Sequence, residues 1–319
     1  RTWAFYTIAK AHLHEDSVPW HNVMISGWIL DPDRKKMAKS KGNVVTPVHL
    51  FDEFGVDAVR YWAASARLGA DTAFDEKVFK IGRRLVTKLF NAGKFVLAQS
   101  GPVAPVTHEL DRAFVAELAE LVTGSTRQFE EFKFAQVLHD TETFFWTRFT
   151  DTFIELSKPR AWGDDAVSAE ARGSALTALR LGLGVLLRLF APFLPYITEE
   201  VWSWVFAKES GQASIHTAPW PSEADFAGIA PPQHADSFGL SVACFEAINK
   251  AKSDASVSTG RVVKELVVAA NPETLARALP VLDAAFDAAR CELRRTEADA
   301  TLEAGTFAVR HAIFAEKSA

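Results

Sequence analysis

Hydrophobic positions recur at helical spacing over most of this chain. Ile81, Leu85, Leu89, Ala92 and Val96 fall three or four residues apart, so residues 78–97 are predicted to form a helix with one apolar face. The Gly- and Pro-bearing stretch 101–105 breaks it. A second helix is expected over 111–132, with Phe114, Leu118, Leu121 and Val122 inward. A third is expected over 135–156, where Phe145, Phe149 and Phe153 stand every fourth residue, a core stripe. Pro159 should end it, with a turn at 163–165. Residues 166–190 read as a long apolar helix terminated by Pro192 and Pro195. Thr198 is placed to cap a last helix over 199–206, with Glu199 and Glu200 favourable in its first turn. Together these segments predict an antiparallel bundle of four or five helices.

The flanking regions differ. Residues 1–15 read as a helix and 24–30 as a strand before a turn. Thr46-Pro47 introduces a helix ending near Gly55, and 57–68 reads as another, with Asp57 as its N-cap. Residues 208–237 are rich in Gly, Pro, Ser and His and suggest an extended linker. The tail alternates: helix 241–255, strand 261–269, helix 272–289, strand 306–314. That is a small α/β module.

Composition narrows the class. The chain has 319 residues, 48% hydrophobic and 24% charged, which suits two or three globular domains. Its two cysteines, Cys244 and Cys291, form no ligand pattern, and the nine histidines show no metal spacing. A reducing compartment and no metal site are expected. The apolar run 181–197 is interrupted by Arg188 and two prolines, so it reads as a buried helix pair rather than a membrane span. The chain opens inside an amphipathic segment, which suggests a fragment of a longer protein. Net charge is −5, but residues 1–100 hold 15 Lys and Arg against 10 Asp and Glu. A local positive field is what a polyanionic partner meets.

The densest chemistry lies in residues 26–46. Five of the eight residues from Arg34 to Lys41 are basic. The preceding Asp31-Pro32-Asp33 forms a turn, and Gly42-Asn43 closes the loop, with Gly tolerating positive φ. Flexible ammonium groups on such a loop suit a polyphosphate. The order Lys36-Met37-Ala38-Lys39-Ser40, flanked by Gly27-Trp28 and Lys41-Gly42-Asn43-Val44, resembles the KMSKS loop of class I aminoacyl-tRNA synthetases. The resemblance implies that Lys36 and Lys39 are catalytic and hold the leaving pyrophosphate. Lys36, Met37, Lys39 and Ser40 would then contact ATP, with Mg2+ expected alongside. Ala38 departs from the usual Ser of the motif, removing a hydroxyl but neither ammonium.

Further segments are similar to valyl-tRNA synthetases: residues 67–76, 89–97 and 214–221, while 191–202 is shared with the isoleucine, leucine and methionine enzymes. The resemblance divides the chain into four parts. Residues 1–76 end a Rossmann-type catalytic domain, 77–206 form a helical anticodon-binding domain, 207–238 a linker, and 239–319 the small α/β module. It implies tRNA(Val), valine and ATP as partners, a monomer and a cytoplasmic location, with no membrane partner. Trp3 would pack on the valine side chain. Lys77, Lys80, Arg84 and Lys88 fall within a stripe about 80° wide on a helix, and Phe95 projects at its edge. These five are the expected tRNA contacts: cations for phosphates and a ring for an unpaired base. The family's His-x-Gly-His motif and an editing domain are not in these residues and are expected upstream. Two alternatives remain open: an isoleucyl- or leucyl-tRNA synthetase fragment, and a tRNA-binding module without chemistry.

Overall fold

The structure is a computed structural model, which describes residues 2–99, 101, 104–163 and 167–316. Helix α1 (Thr2–Glu15) precedes a two-residue strand β1 (Ile29–Leu30), then α2 (Val48–Phe54) and α3 (Val56–Ala64). Strand β2 (Thr72–Ala73) pairs with β1 in parallel. The strand expected over 24–30 is thus only two residues long, because a single two-residue partner offers hydrogen bonds to no more. Aromatic side chains join this region to α4 (Glu76–Ala98). Phe79 is fully buried among Phe54, Trp62 and Phe74, with ring centroids 5.4–5.6 Å away.

Phe79 also corrects the predicted inward face of α4. Phe79 and Gly82 are buried there, while Ile81 is 47% exposed. The contact with α2 and α3 turns the buried arc away from Ile81. Leu85, Leu89, Ala92 and Val96 are buried as expected.

Helix α5 (Glu109–Glu130) is followed by one continuous helix: α6 (Phe134–Phe144), a π-wound segment (Phe145–Phe153), and α7 (Ile154–Trp162). The aromatic stripe sits at zero exposure, and Phe153 stacks on Phe114 with centroids 3.8 Å apart. Pro159 does not end the helix. Arg160, one residue later, forms a buried bidentate pair with Asp111 at 2.6 and 2.7 Å, and Ser174 adds a third bond to that carboxylate. This anchor holds the last turn despite the lost N–H. The turn expected at 163–165 and the start of the helix expected at 166 fall on residues 164–166, outside the described residues.

Helix α8 (Ala169–Phe190) is long and apolar enough to cross a membrane, yet 78% of its apolar window is buried inside the molecule. Pro195 starts α9 (Pro195–Trp204) rather than ending a helix, since Pro is tolerated at N1. Thr198 is therefore no cap; it is buried, and its hydroxyl donates back to the Leu194 carbonyl. The cap comes from Asp57 on α3, which accepts from the Ile197 and Tyr196 amides at 2.7 and 3.3 Å. Arg60, one turn along α3, donates to the Pro192 and Phe193 carbonyls. So Asp57 caps a distant helix, not its own.

The segment after the short α10 (Phe206–Ser210) is strapped to the helices rather than free. Trp220 donates to Thr126, Arg188 pairs with Asp225, and the Gln233 amide donates to Glu109. The tail contains α11 (Ser237–Asp254), β3 (Val263–Ala270), α12 (Pro272–Ala288), β4 (Cys291–Ala298) and β5 (Phe307–Phe314). The sheet order is β4-β3-β5, with β4 parallel and β5 antiparallel to β3. Sequence reading missed β4, whose Glu292, Arg294, Arg295 and Glu297 lie on an exposed edge and break the apolar alternation. One hydrophobic core runs without interruption from α4 through α12.

Candidate functional site

The lysine-rich loop stands on a stitched base. Gly27 packs so tightly against residues 70–71 that a Cβ would lie 1.9 Å from the Ala70 carbonyl oxygen. The Trp28 amide donates to Asp71, and the Thr72 and Phe74 amides donate to the carbonyls of Trp28 and Leu30. From this base Asp31 turns the chain, its carbonyl accepting from Arg34. Asp31 Oδ1 accepts from the Lys35 amide at 2.7 Å, and Oδ2 from Asn43 Nδ2 at 2.7 Å. Asn43 Oδ1 accepts from the Ala38 amide at 2.9 Å. Asp31 and Asn43 thus clamp both ends of the loop. These bonds, the one from Asn43 first, hold the Asp31 carboxyl below its usual range. Gly42 closes the loop at φ +64.

Within that clamp the predicted residues differ in state. Lys36 forms a bridge with Leu30, and its ammonium sits 3.4 Å above the Trp28 ring. Met37 is half-buried. Lys39, Ser40 and Lys41 form an exposed turn of 3₁₀ helix. Ala38 is the N-cap of that turn in extended geometry, with no side-chain cap. Sequence reading noticed Asn43 only as a loop closer. Its partnership with Asp31, twelve residues away, leaves no periodic signal.

Trp3 is 72% exposed and stacks on Trp20 at 5.6 Å. Helix α1 buries none of its residues. Among the described residues, no group of three or more His, Cys, Asp or Glu side chains is arranged to hold a metal.

On α4, Lys77, Lys80 and Arg84 are exposed and Lys88 is half-buried. Arg84 and Lys88 lie over the Trp146 ring at 5.5 and 5.0 Å, and Lys88 pairs with Asp151 at 3.3 Å. Phe95 is half-buried, against the free ring expected. Trp162 meets it edge to face at 4.9 Å, and the Lys158 ammonium lies 5.4 Å from Phe95 and 5.6 Å from Trp162. Trp162 is 52% exposed, so it presents the larger open ring of the pair. Lys158 and Trp162, missed in the sequence, sit four residues apart on α7. Their spacing is an ordinary helical one, and only packing brings them to Phe95. The row thus runs along the seam between α4 and the α6–α7 helix, cations first and aromatics at the end. That arrangement can hold a phosphate chain and stack an unpaired base.

Comparison with known proteins gives two family matches. The family described as tRNA synthetases class I (I, L, M and V) matches residues 1–75, and the anticodon-binding domain of tRNA ligase matches residues 111–267. The chain belongs to the class I tRNA synthetases. Within that family its similarity is to valine–tRNA ligases. It is 47% identical to that of Thermobifida fusca over 84% of this chain and 30% of that protein. It is 41% identical to that of a Wolbachia of Brugia malayi over 85% and 32%, and 48% identical to that of Cutibacterium acnes over 70% and 25%. The chain therefore spans about a third or less of the length of these relatives. The fold also resembles a LeuRS from Agrobacterium radiobacter, solved in a ternary complex with tRNA and LeuAMS. The TM-score is 0.51 at 21% identity, over 82% of this chain and 34% of that one.

Proposed function

We propose that this chain is the part of a valine–tRNA ligase that clamps the ATP phosphates and grips the anticodon arm of tRNA(Val). The whole ligase would activate valine with ATP and transfer it to tRNA, as a cytoplasmic monomer. The loop 26–46 would be its KMSKS loop, at the end of the catalytic domain within residues 1–76. Lys39 is free to meet the pyrophosphate as its charge develops, and Lys36 joins it on leaving Trp28. Mg2+ would arrive with the nucleotide. Residues 77–206 would be the antiparallel anticodon-binding bundle, residues 207–238 the strap that follows it, and 239–319 the α/β module. Trp3 would face the valine side chain.

The observation that carries this reading is the seam of Arg84, Lys88 and Trp146 ending at Phe95, Lys158 and Trp162. Cations followed by an open aromatic pair match a stem followed by a single-stranded loop. The test is binding of an isolated anticodon stem–loop hairpin of tRNA(Val) by the 319-residue chain. Phe95→Ala and Trp162→Ala should each weaken it by about 1–3 kcal/mol, the usual worth of a base–aromatic stack. Their melting temperatures should stay close to the parent's. Equal binding by both variants, or no preference over an unrelated hairpin, would overturn the reading.

A further inference from the structure

Forty ångströms from Trp162, at the other end of the same helix, lies a cleft that the anticodon reading does not use. It has a volume of about 790 Å³ and lies between Arg67-Leu68 and the turn joining α5 to α6; the distance follows from about 1.5 Å per helical residue over 134–162, roughly 40 Å. Arg67, Arg127 and Lys133 line it against a single carboxylate, Glu131. Glu131 is engaged by Lys133 at 2.5 Å, chiefly by that bond held below its usual carboxyl range. Among the described residues, neither Arg67 nor Arg127 forms an ion pair through its guanidinium. Two exposed guanidiniums on one concave surface, Arg127 sharing the field of Glu131 with Lys133 and neither held in an ion pair among the described residues, make a site for paired phosphate oxygens.

The turn itself adds a second observation. The Phe132 amide donates to the Phe129 carbonyl at 2.9 Å and the Lys133 amide to that of Gln128 at 2.8 Å, which is a Schellman closure of α5. The left-handed position in that motif normally holds glycine. Here it holds Phe132, at φ +59 and 40% exposed. A bulky residue in this conformation is strained, and burial does not offset it. The strain places an aromatic ring at the mouth of a basic cleft.

We propose that this cleft is a second RNA site, which binds the phosphodiester backbone of the tRNA body rather than its anticodon. Arg67 and Arg127 grip the phosphates, and Phe132 packs on a ribose or base edge beside them. The proposal rests on the anticodon reading for its ligand. Between the two ends of that helix, Tyr61 on α3 donates to Glu142 on α6. A ligand spanning roughly 40 Å along one helix is a folded RNA, not a nucleotide.

The experiment compares the full tRNA(Val) transcript with its isolated anticodon stem–loop hairpin, titrated at several salt concentrations against the 319-residue chain. The double variant Arg67→Ala/Arg127→Ala should bind the full transcript about tenfold more weakly, with a salt slope reduced by about one to two units. Its affinity for the hairpin should be unchanged. Arg67→Lys/Arg127→Lys should recover only part of the loss, because an ammonium restores the charge but not the paired donors. Phe132→Gly removes the strain, so it should melt no lower than the parent while binding the full transcript several-fold more weakly. A double variant that binds the transcript like the parent overturns the proposal alone. So does one that loses hairpin and transcript equally. A parent that binds neither RNA overturns both this proposal and the anticodon reading.

Discussion

Replacing Asp57 by alanine should loosen the start of α9, and the structure sets the size of the effect. Asp57 is 6% exposed and receives the Ile197 and Tyr196 amides at 2.7 and 3.3 Å. Losing an N-cap costs about 0.5–2 kcal/mol. Losing a negative charge at a partly buried helix N-terminus costs about 0.3–2 kcal/mol more. Burial works the other way: it is the main cause that raises the Asp57 carboxyl above its usual range, so the charge term is more than offset and the cap bonds carry the gain. The net loss for Asp57→Ala is about 1 kcal/mol, which should speed hydrogen exchange at the Ile197 amide about fivefold. Asp57→Asn keeps an acceptor of equal capping rank and sheds the desolvated charge, so it should cost less than about 0.5 kcal/mol. Between the unfolded carboxyl's pKa and the raised folded one, the folded state binds more protons, so this group's contribution falls as pH rises. The difference between the parent and Asp57→Asn should shrink in that direction. Hydrogen exchange by mass spectrometry on peptides spanning 192–204 reads all three. If Asn costs as much as Ala, or Ala costs nothing, the cap reasoning is wrong.

Three other outcomes are expected. In the full-length ligase, Lys39→Ala should slow adenylate formation by about 2–4 kcal/mol in activation free energy while valine affinity holds, as for one preorganised donor; single-turnover adenylation measures it, and an unchanged rate constant removes Lys39 from the chemistry. Ala38→Ser places a hydroxyl at the uncapped, extended N-cap of the turn Lys39–Lys41, so exchange at the Ser40 and Lys41 amides should slow a few-fold with adenylation unaltered; faster exchange would contradict the cap geometry. His108 caps α5 by accepting from the Leu110 amide, and burial first, then Arg160, holds its imidazole below the usual pKa. Such a group adds stability that is full above the unfolded value of about 6.5 and is lost as pH falls through the folded one. Urea midpoints at pH 7.5 and 5.5 should therefore converge in His108→Asn relative to the parent, and an identical acid loss in both would exclude His108.

What the residues revealed beforehand was local. The helices of residues 76–190, the apolar faces of α4 and α5 and the buried Phe145, Phe149 and Phe153 follow from spacing alone, and spacing is a property of a few turns of chain. The lysine loop was visible because its residues are contiguous. The errors share a different cause. Pro159 was read as a stop, but Arg160 finds Asp111 forty-nine residues away; the last helix was expected from 199 but starts at Pro195, where Asp57 finds Ile197 one hundred and forty residues away. Thr198 was a good cap by its own neighbourhood and lost the role to Asp57. Ile81 lost its inward place to Phe79 because α2 and α3 approach α4 from the side. Each of these is a tertiary contact overriding a sound local preference.

The two states of the loop lysines bear on how such a loop works. Among the described residues the Lys39 ammonium has no partner to leave, whereas Lys36 must give up its place over the half-open Trp28 ring. An exposed cation–π contact is worth about 0.5–1 kcal/mol, and a hydrogen bond to a charged phosphate oxygen about 1.5–3 kcal/mol. On the proposed reading the phosphate would win, and Trp28 would be a resting place that holds Lys36 without locking it. The backbone need not travel far for this exchange. Asp31 and Asn43 hold the loop at Lys35, Lys36 and Ala38 through three hydrogen bonds, and a fourth joins Asn43 to Asp31. These bonds leave the Lys36 side chain and the exposed turn after Ala38 outside the clamp. If the loop binds a nucleotide as proposed, little ordering entropy would remain to be lost when it arrives.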